Sequence, residues 1–130
     1  MTIEERAEKA VELKHSGYNC AQAVIGACSD FVDGDTEMML KMTSGYTAGM
    51  GCMESTCGAL NGAVMIAGIL TDGKGTARTA AKLLKNFDQK SGATICKDLK
   101  GVETGKVLCP CDDCVRNAVM CLGEEFNGLT

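Results

Sequence analysis

A glycine-rich segment contains the cysteine with the clearest chemical role in this sequence. Residues 49–62 read GMGCMESTCGALNG, and the last six of them open an apolar stretch with helical character. Ser55 or Thr56 is the expected N-cap of that helix, which places Cys57 in its first turn. Backbone N–H groups and the helix dipole stabilise a thiolate at such a position and lower its pKa. The sequence therefore predicts that Cys57 is a reactive thiol.

Cys20 has a similar setting. Asn19 is a good N-cap, and a helix that begins there has Cys20 in its first turn. Gly58 and Gly62 lie four residues apart on one side of the helix that follows Cys57, where a neighbouring helix can pack closely. If the two helices pack in parallel, the two thiols meet. The alternative is that one or both cysteines only fill the core.

A second group of cysteines lies near the end of the chain. Residues 109–114 read CPCDDC. A Cys-x-x-Cys pair at a helix start suits thiol–disulfide exchange, and dense cysteines also suit zinc or an iron–sulfur cluster. A closed four-ligand site would use Cys109, Cys111, Cys114 and one distant cysteine, such as Cys96. The spacing does not choose between redox chemistry and metal binding.

Other residues with chemical potential are less informative. His15 could act as a base or a ligand, but a histidine at this position is more typical of a helix C-terminus, where its charge suits the dipole. Five of the eight methionines lie between residues 38 and 53, and methionine at helical spacing is most often core. No Ser-His-Asp set and no carboxylate pair stand out, so hydrolytic chemistry lacks support.

Composition limits the class of protein. The 130 residues suffice for one domain, and the net charge of −4 with no run of Lys or Arg disfavours a nucleic-acid partner. The first residues lack the apolar segment of a signal peptide, and the longest apolar-rich stretch, 59–70, is shorter than the about 20 residues of a membrane span. We therefore expect a cytoplasmic protein without membrane insertion, whose nine cysteines do not form structural disulfides.

Helical periodicity shows how these residues are positioned. Amphipathic patterns cover 3–14, 20–28 and 76–90, where Ala80, Leu84 and Phe87 share the predicted apolar face. Another helix is expected from the Cys57 segment to near Gly73, and a last one from near Asp112. Short helices are expected after a turn at 33–36 and over 96–99. Few segments alternate as strands do, so the sequence predicts an all-α fold, a single compact bundle of five or six helices over 1–130.

Taken together, these motifs resemble a known family of small redox-active proteins, named for its C-GCAxxG-C-C cysteine pattern and also described by a CGAxxG motif. The matching segments are YNCAQAV at 18–24, GMG at 49–51, CGALNG at 57–62, Cys96, and a late cysteine before VRNA at 115–118. The resemblance implies a helical domain with four characteristic cysteines: Cys20, Cys57, Cys96 and Cys111, with Cys114 as the alternative for the fourth. The additional cysteines leave open a larger metal or cluster site.

The leading hypothesis is a thiol redox protein, in enzymatic form a thiol-dependent oxidoreductase. Cys57 and Cys20 would supply low-pKa thiols, and Cys96 and Cys111 would resolve the intermediate or complete the site. Its partner would be a redox protein or a small thiol or disulfide. A homodimer could form through a helix face, but the pattern identifies no interface. The alternative is a zinc or iron–sulfur protein that uses the same cysteines as ligands. A third hypothesis is a helical interaction module whose cysteines only pack.

Overall fold

The computed structural model describes residues 1–31 and 34–126. Within them the chain forms seven α-helices, a 3-10 turn at Ser29–Phe31 and a π-helical turn at Gly49–Met53. No β-strand occurs in this part of the chain, which confirms the all-α prediction. The seven helices include two short ones of seven and five residues; the other five match the predicted bundle of five or six helices. The helices are α1 Ile3–His15, α2 Cys20–Ala27, α3 Thr36–Met42, α4 Gly58–Leu70, α5 Thr76–Ser91, α6 Cys96–Lys100 and α7 Cys111–Glu125.

Side-chain caps fix the starts of the first three helices. The side chains of Thr2 and Asn19 each accept a hydrogen bond from the backbone N–H three residues ahead. The side chains of Glu5 and Gln22 accept one in turn from the backbone N–H of Thr2 and Asn19, so both helix starts are capping boxes. Asp35 caps α3 in the same way through the N–H of Met38. Asp33, the first residue of the turn predicted at 33–36, lies outside the described residues.

The start of α4 differs from the prediction. Neither Ser55 nor Thr56 is its N-cap; Cys57 itself takes that position, and the helix ends at Leu70 rather than near Gly73. The reason is a long-range pairing, because Thr56 forms an isolated antiparallel bridge with Ile95. That bridge keeps the backbone before Cys57 extended.

Helix α4 lies at the centre of the bundle, against α2, α5 and α7, while α1 packs on α2 and α7. At Gly62 the backbones of α2 and α4 lie close together, because a Cβ atom there would meet the carbonyl oxygen of Ala21 at 2.7 Å. Gly58 lies one turn earlier, against Cys20. The close helix contact is therefore where the glycine spacing predicted it, and α2 and α4 begin at the same end of the molecule.

The buried face of α5 is only partly as predicted. Phe87 is fully buried, but its neighbour on the core side is Leu83, and Leu84 is 45% exposed. The core otherwise consists of small and aliphatic side chains, among them Val24, Leu60 and Val115. None of the helices in the described residues is long and apolar enough to cross a membrane.

Candidate functional site

Four helices begin at one cavity, and each brings a cysteine to it. Cys57 is the N-cap of α4, and Cys20, Cys96 and Cys111 are the first residues of α2, α6 and α7. The cavity has a volume of about 290 Å³, and Cys114, one turn into α7, also lines it. The structure thus brings together all four cysteines that the family resemblance predicted, together with the alternative for the fourth. The remaining lining residues are Lys14, Tyr18, Asn19, Thr47, Ala48, Met53, Gly58 and Lys100.

The bridge between Thr56 and Ile95 fixes two of these cysteines relative to each other. The N–H of Cys57 donates to the carbonyl of Thr94 at 2.8 Å, and the N–H of Cys96 donates to the carbonyl of Ser55 at 2.9 Å. Each cysteine directly follows a residue of the bridge. The starts of α4 and α6 are therefore held side by side by backbone hydrogen bonds.

Close packing of α2 on α4 positions Cys20. A Cβ atom on Gly58 would meet the Cys20 sulfur at 2.5 Å and would also overlap the carbonyl oxygen of Tyr46. Only glycine fits at this point of the α4 start, which explains the Cys57–Gly58 pair physically. The Cys20 sulfur also lies 3.7 Å from the hydroxyl of Thr47.

Cys57 is an acidic thiol. The neighbouring Cys114 thiol has the largest of the effects that lower the pKa of Cys57 to about 6, against the opposing effect of burial. The N–H groups of Ala59 and Leu60 and the charge of Lys100 lower this pKa further. Neither N–H meets the geometry of a full capping hydrogen bond. At neutral pH Cys57 is therefore a thiolate.

Cys114 is the complementary thiol. The neighbouring Cys57 sulfur, followed by burial, raises the pKa of Cys114 above its ordinary value. The S–H group of Cys114 donates to the Cys109 carbonyl at 3.5 Å. The two thiols thus share one ionisation, with the negative charge on Cys57 and the proton on Cys114.

Lys100 completes this arrangement, and the sequence analysis did not identify it. Its ammonium donates to the Cys109 carbonyl at 2.8 Å and lies 3.4 Å from the Cys114 sulfur. Burial lowers the pKa of Lys100, but the neighbouring Cys114 and Cys111 thiols raise it by more, so the ammonium stays charged. The only signal in the sequence is its position four residues after Cys96, one helical turn along α6.

Cys96 also lines the cavity, beside a strained turn. Its thiol donates to the Met53 sulfur at 3.6 Å, and burial, followed by the charge of Cys57, raises the pKa of Cys96. Ala48, Met50 and Met53 all have positive φ angles, of 49°, 62° and 67°, which side chains rarely adopt. Such strain clusters at functional sites.

Of the three cysteines of the predicted metal site, Cys111 and Cys114 line the cavity and Cys109 does not. The Cys109 sulfur instead accepts a hydrogen bond of 3.8 Å from Asn117, whose amide also donates to Ser91. In the described ranges, no three Cys, His, Asp or Glu side chains are arranged to hold a metal ion. Ligation by Cys109, Cys111 and Cys114 stays a prediction.

The remaining candidates lie away from the cavity. His15 pairs with Asp112 at 2.8 Å through Nε2, near the start of α7. Cys28 and Cys121 are core residues, and burial raises the pKa of each to about 11. Cys52 is an exposed thiol of the π-helical turn. All nine cysteines fall within the described residues and are free thiols.

A comparison with protein-family models identifies the family of this chain. The family model described as "Putative redox-active protein (C_GCAxxG_C_C)" covers residues 18–125, from the residues before Cys20 to the end of α7. No curated protein and no solved structure matches the chain.

Proposed function

Because the chain belongs to the C_GCAxxG_C_C family, we propose that it is a thiol–disulfide redox protein in which Cys57 is the nucleophile and Cys114 the resolving thiol. The observation that carries this proposal is that Cys57 and Cys114 line one cavity together with Lys100, whose ammonium lies 3.4 Å from the Cys114 sulfur. The lowered pKa of Cys57 and the raised pKa of Cys114 agree with a nucleophile and a protonated partner thiol. Thiol–disulfide exchange needs a thiolate as the attacking group and a second thiol close enough to displace the product.

In the first step the Cys57 thiolate attacks one sulfur of a substrate disulfide. A bond forms between Cys57 and that sulfur, and the S–S bond of the substrate breaks. The leaving thiolate takes the proton of the nearby Cys114 thiol and departs as a thiol. Cys57 no longer carries a charge, so two of the causes that raised the pKa of Cys114 disappear.

In the second step the Cys114 thiolate attacks the Cys57 sulfur of the mixed disulfide. Lys100, 3.4 Å away, stabilises the Cys114 thiolate before the attack. A disulfide forms between Cys57 and Cys114, and the second substrate thiolate leaves and takes a proton from water. The substrate disulfide is reduced by two electrons and the protein dithiol is oxidised.

This assignment places Cys114 rather than Cys96 or Cys111 in the resolving role. Cys20, Cys96 and Cys111 line the same cavity and are candidates for a second exchange that returns the pair to its reduced form. The pKa of Cys96 is raised by burial, so Cys96 is a weaker nucleophile than Cys57 at neutral pH.

The experiment is alkylation of the reduced protein with iodoacetamide between pH 4 and 9, followed residue by residue with mass spectrometry. We expect the alkylation of Cys57 to increase with a midpoint near pH 6, because the thiolate is the reacting form. Replacing the exposed Cys52 by serine should leave the profile unchanged. A Cys57 midpoint above pH 8 would contradict the proposal.

The same preparation tests the resolving thiol. After treatment with one equivalent of a small disulfide, peptide mapping should find a Cys57–Cys114 bond. Cys114→Ser should instead trap the mixed disulfide on Cys57, and Cys57→Ser should stay reduced. A bond from Cys57 to Cys20, Cys96 or Cys111 in the unmodified protein would transfer the resolving role to that cysteine.

A further inference from the structure

The reactive pair is reached only through the cavity. Cys57 is 4% exposed and Cys114 is 1% exposed, whereas Cys111 on the same cavity is an exposed residue. An attacking sulfur must come within bonding distance of the disulfide it cleaves. A disulfide on the surface of a folded protein cannot approach a sulfur buried to this degree. A cavity of about 290 Å³ is at the small end of ligand sites, which suits a small molecule.

The charged groups of the cavity favour a negative ligand. Lys14 and Lys100 line it, and among the described residues no aspartate or glutamate does. Lys14 also forms an ion pair with Asp112, whose carboxylate lies 3.7 Å from the ammonium and offsets part of its charge. The Cys57 thiolate supplies one negative charge, but that charge is lost when the mixed disulfide forms. From then on the two ammonium groups face the bound half of the substrate.

The remaining walls are uncharged and largely apolar. Tyr18, Ala48 and Met53 contribute them, and the starts of α2, α4 and α7 add the partial positive charge of helix N-termini to the field of the lysines. Short aliphatic arms fit such walls, and a carboxylate at the end of an arm can pair with a lysine.

From this geometry, and resting on the proposed function, we infer that the substrate is a small aliphatic disulfide whose arms end in carboxylates. Cys57 and Cys114 reduce it to two carboxylate-bearing thiols by the two steps given above. Lys14 binds the carboxylate of the arm that remains attached to Cys57, while Lys100, beside Cys114, adds positive charge to the cavity. The oxidant of the protein dithiol is the substrate itself.

Three disulfides of similar length and different charge test this inference. They are 3,3′-dithiodipropionate, which is anionic, bis(2-hydroxyethyl) disulfide, which is neutral, and cystamine, which is cationic. The reduced protein is mixed with each disulfide, and the rate at which its thiols are oxidised is measured. That rate is divided by the rate at which 2-mercaptoethanol reacts with the same disulfide, so that differences in intrinsic reactivity cancel. We expect the anionic disulfide to react about tenfold faster than the neutral one and the cationic one to react slowest, with the differences shrinking at high salt.

A pair of variants locates the selectivity. Lys14→Met should lower the ratio of anionic to neutral rates several-fold, because it removes one ammonium from the cavity. Lys41→Met is the matched control, since Lys41 lies on α3 and is 71% exposed. We expect it to leave the ratio unchanged. A folded protein with one exposed disulfide should react at least about a hundredfold slower than dithiodipropionate, because it cannot enter the cavity.

The outcomes separate the two proposals. If all three small disulfides oxidise Cys57 and Cys114 in the order of their reactivity with 2-mercaptoethanol, the charge selectivity is wrong and the redox function stands. Equal rates with the folded protein would overturn the restriction to small substrates. If none of the disulfides oxidises the pair, the proposed function itself fails.

Discussion

At the residue scale, two cysteines of the same type take different chemical forms because of their neighbours. The neighbouring Cys114 thiol is the largest cause that lowers the pKa of Cys57 to about 6, while the neighbouring Cys57 sulfur raises the pKa of Cys114. Lys100 lies beside Cys114 and stabilises negative charge on either sulfur. The distribution of one proton over the pair thus decides which thiol attacks first.

The low pKa of Cys57 makes folding stability depend on pH. Between about pH 6 and 9.0 the unfolded thiol is protonated and the folded one is not, so the unfolded state binds more protons and stability increases with pH. The gain is lost as the pH falls through 6. We expect the unfolding free energy of the reduced protein to increase across this range, by at most about 1.4 kcal/mol per pH unit.

Urea titrations at pH 6, 7 and 8 measure this dependence. Cys57→Ser should remove the additional slope, whereas Cys52→Ser, which changes an exposed thiol, should retain it. Equal slopes for the unmodified protein and Cys57→Ser would show that Cys57 does not ionise in the folded state at these pH values.

Only some of these residues could be predicted from the sequence. The helix starts at Cys20 and Cys57 follow from local signals, the Asn19 cap and the apolar run after Gly58, and both are close to their predicted places. The pairing of Cys57 with Cys114 and Lys100 depends on how α4, α6 and α7 meet, and such long-range contacts leave no local pattern. The sequence therefore left Cys111 and Cys114 as alternatives, although both reach the cavity.

At the scale of elements, the contact between α2 and α4 sets the position of Cys20. Gly58→Ala should destabilise the protein by about 1–3 kcal/mol, because its Cβ would overlap the Tyr46 carbonyl and the Cys20 sulfur. Gly68→Ala in the same helix is the control. Its Cβ would meet only Thr76, at 3.9 Å, so we expect a gain of up to about 1 kcal/mol from helix propensity.

Thermal or urea unfolding of both variants measures the difference. Gly58→Ala should also change the alkylation rate of Cys20, which Gly68→Ala should not affect. If the two variants proved equally stable, the close approach at Gly58 would not be a feature of the protein in solution.

The errors in the predicted elements have physical causes. Ser55 and Thr56 are good N-cap residues by type, but Thr56 is held in the bridge to Ile95, and the cap moves to Cys57. On α5 the pattern fits more than one face, and the packing against α4 and α7 selects Leu83 instead of Leu84. Local preference decides where a helix forms, and tertiary contact decides its first residue and its buried face.

At the scale of the whole molecule, the proposed disulfide would link two distant parts of the chain. Cys57 starts α4 and Cys114 lies in α7, so the bond closes a long loop and restricts the unfolded state. We expect the oxidised protein to be more stable than the reduced one by about 4 kcal/mol on the chain-entropy estimate, less the thiolate contribution that oxidation removes.

Guanidinium unfolding of the protein with and without reductant measures this difference. Cys114→Ser cannot form the bond and should show no dependence on reductant, while Cys121→Ser, a buried cysteine outside the cavity, should keep it. An oxidised protein that is less stable than the reduced one would mean that the two sulfurs can be joined only by distorting the fold.

The bridge between Thr56 and Ile95 also has a kinetic meaning. Two backbone hydrogen bonds hold the starts of α4 and α6 together before any substrate arrives, and they are made by the peptide groups of Cys57 and Cys96 themselves. The entropy of bringing these two thiols side by side is therefore lost once, during folding, and not in every turnover. In kinetic terms the site is preorganised, and exchange between its sulfurs is an intramolecular reaction at high effective concentration.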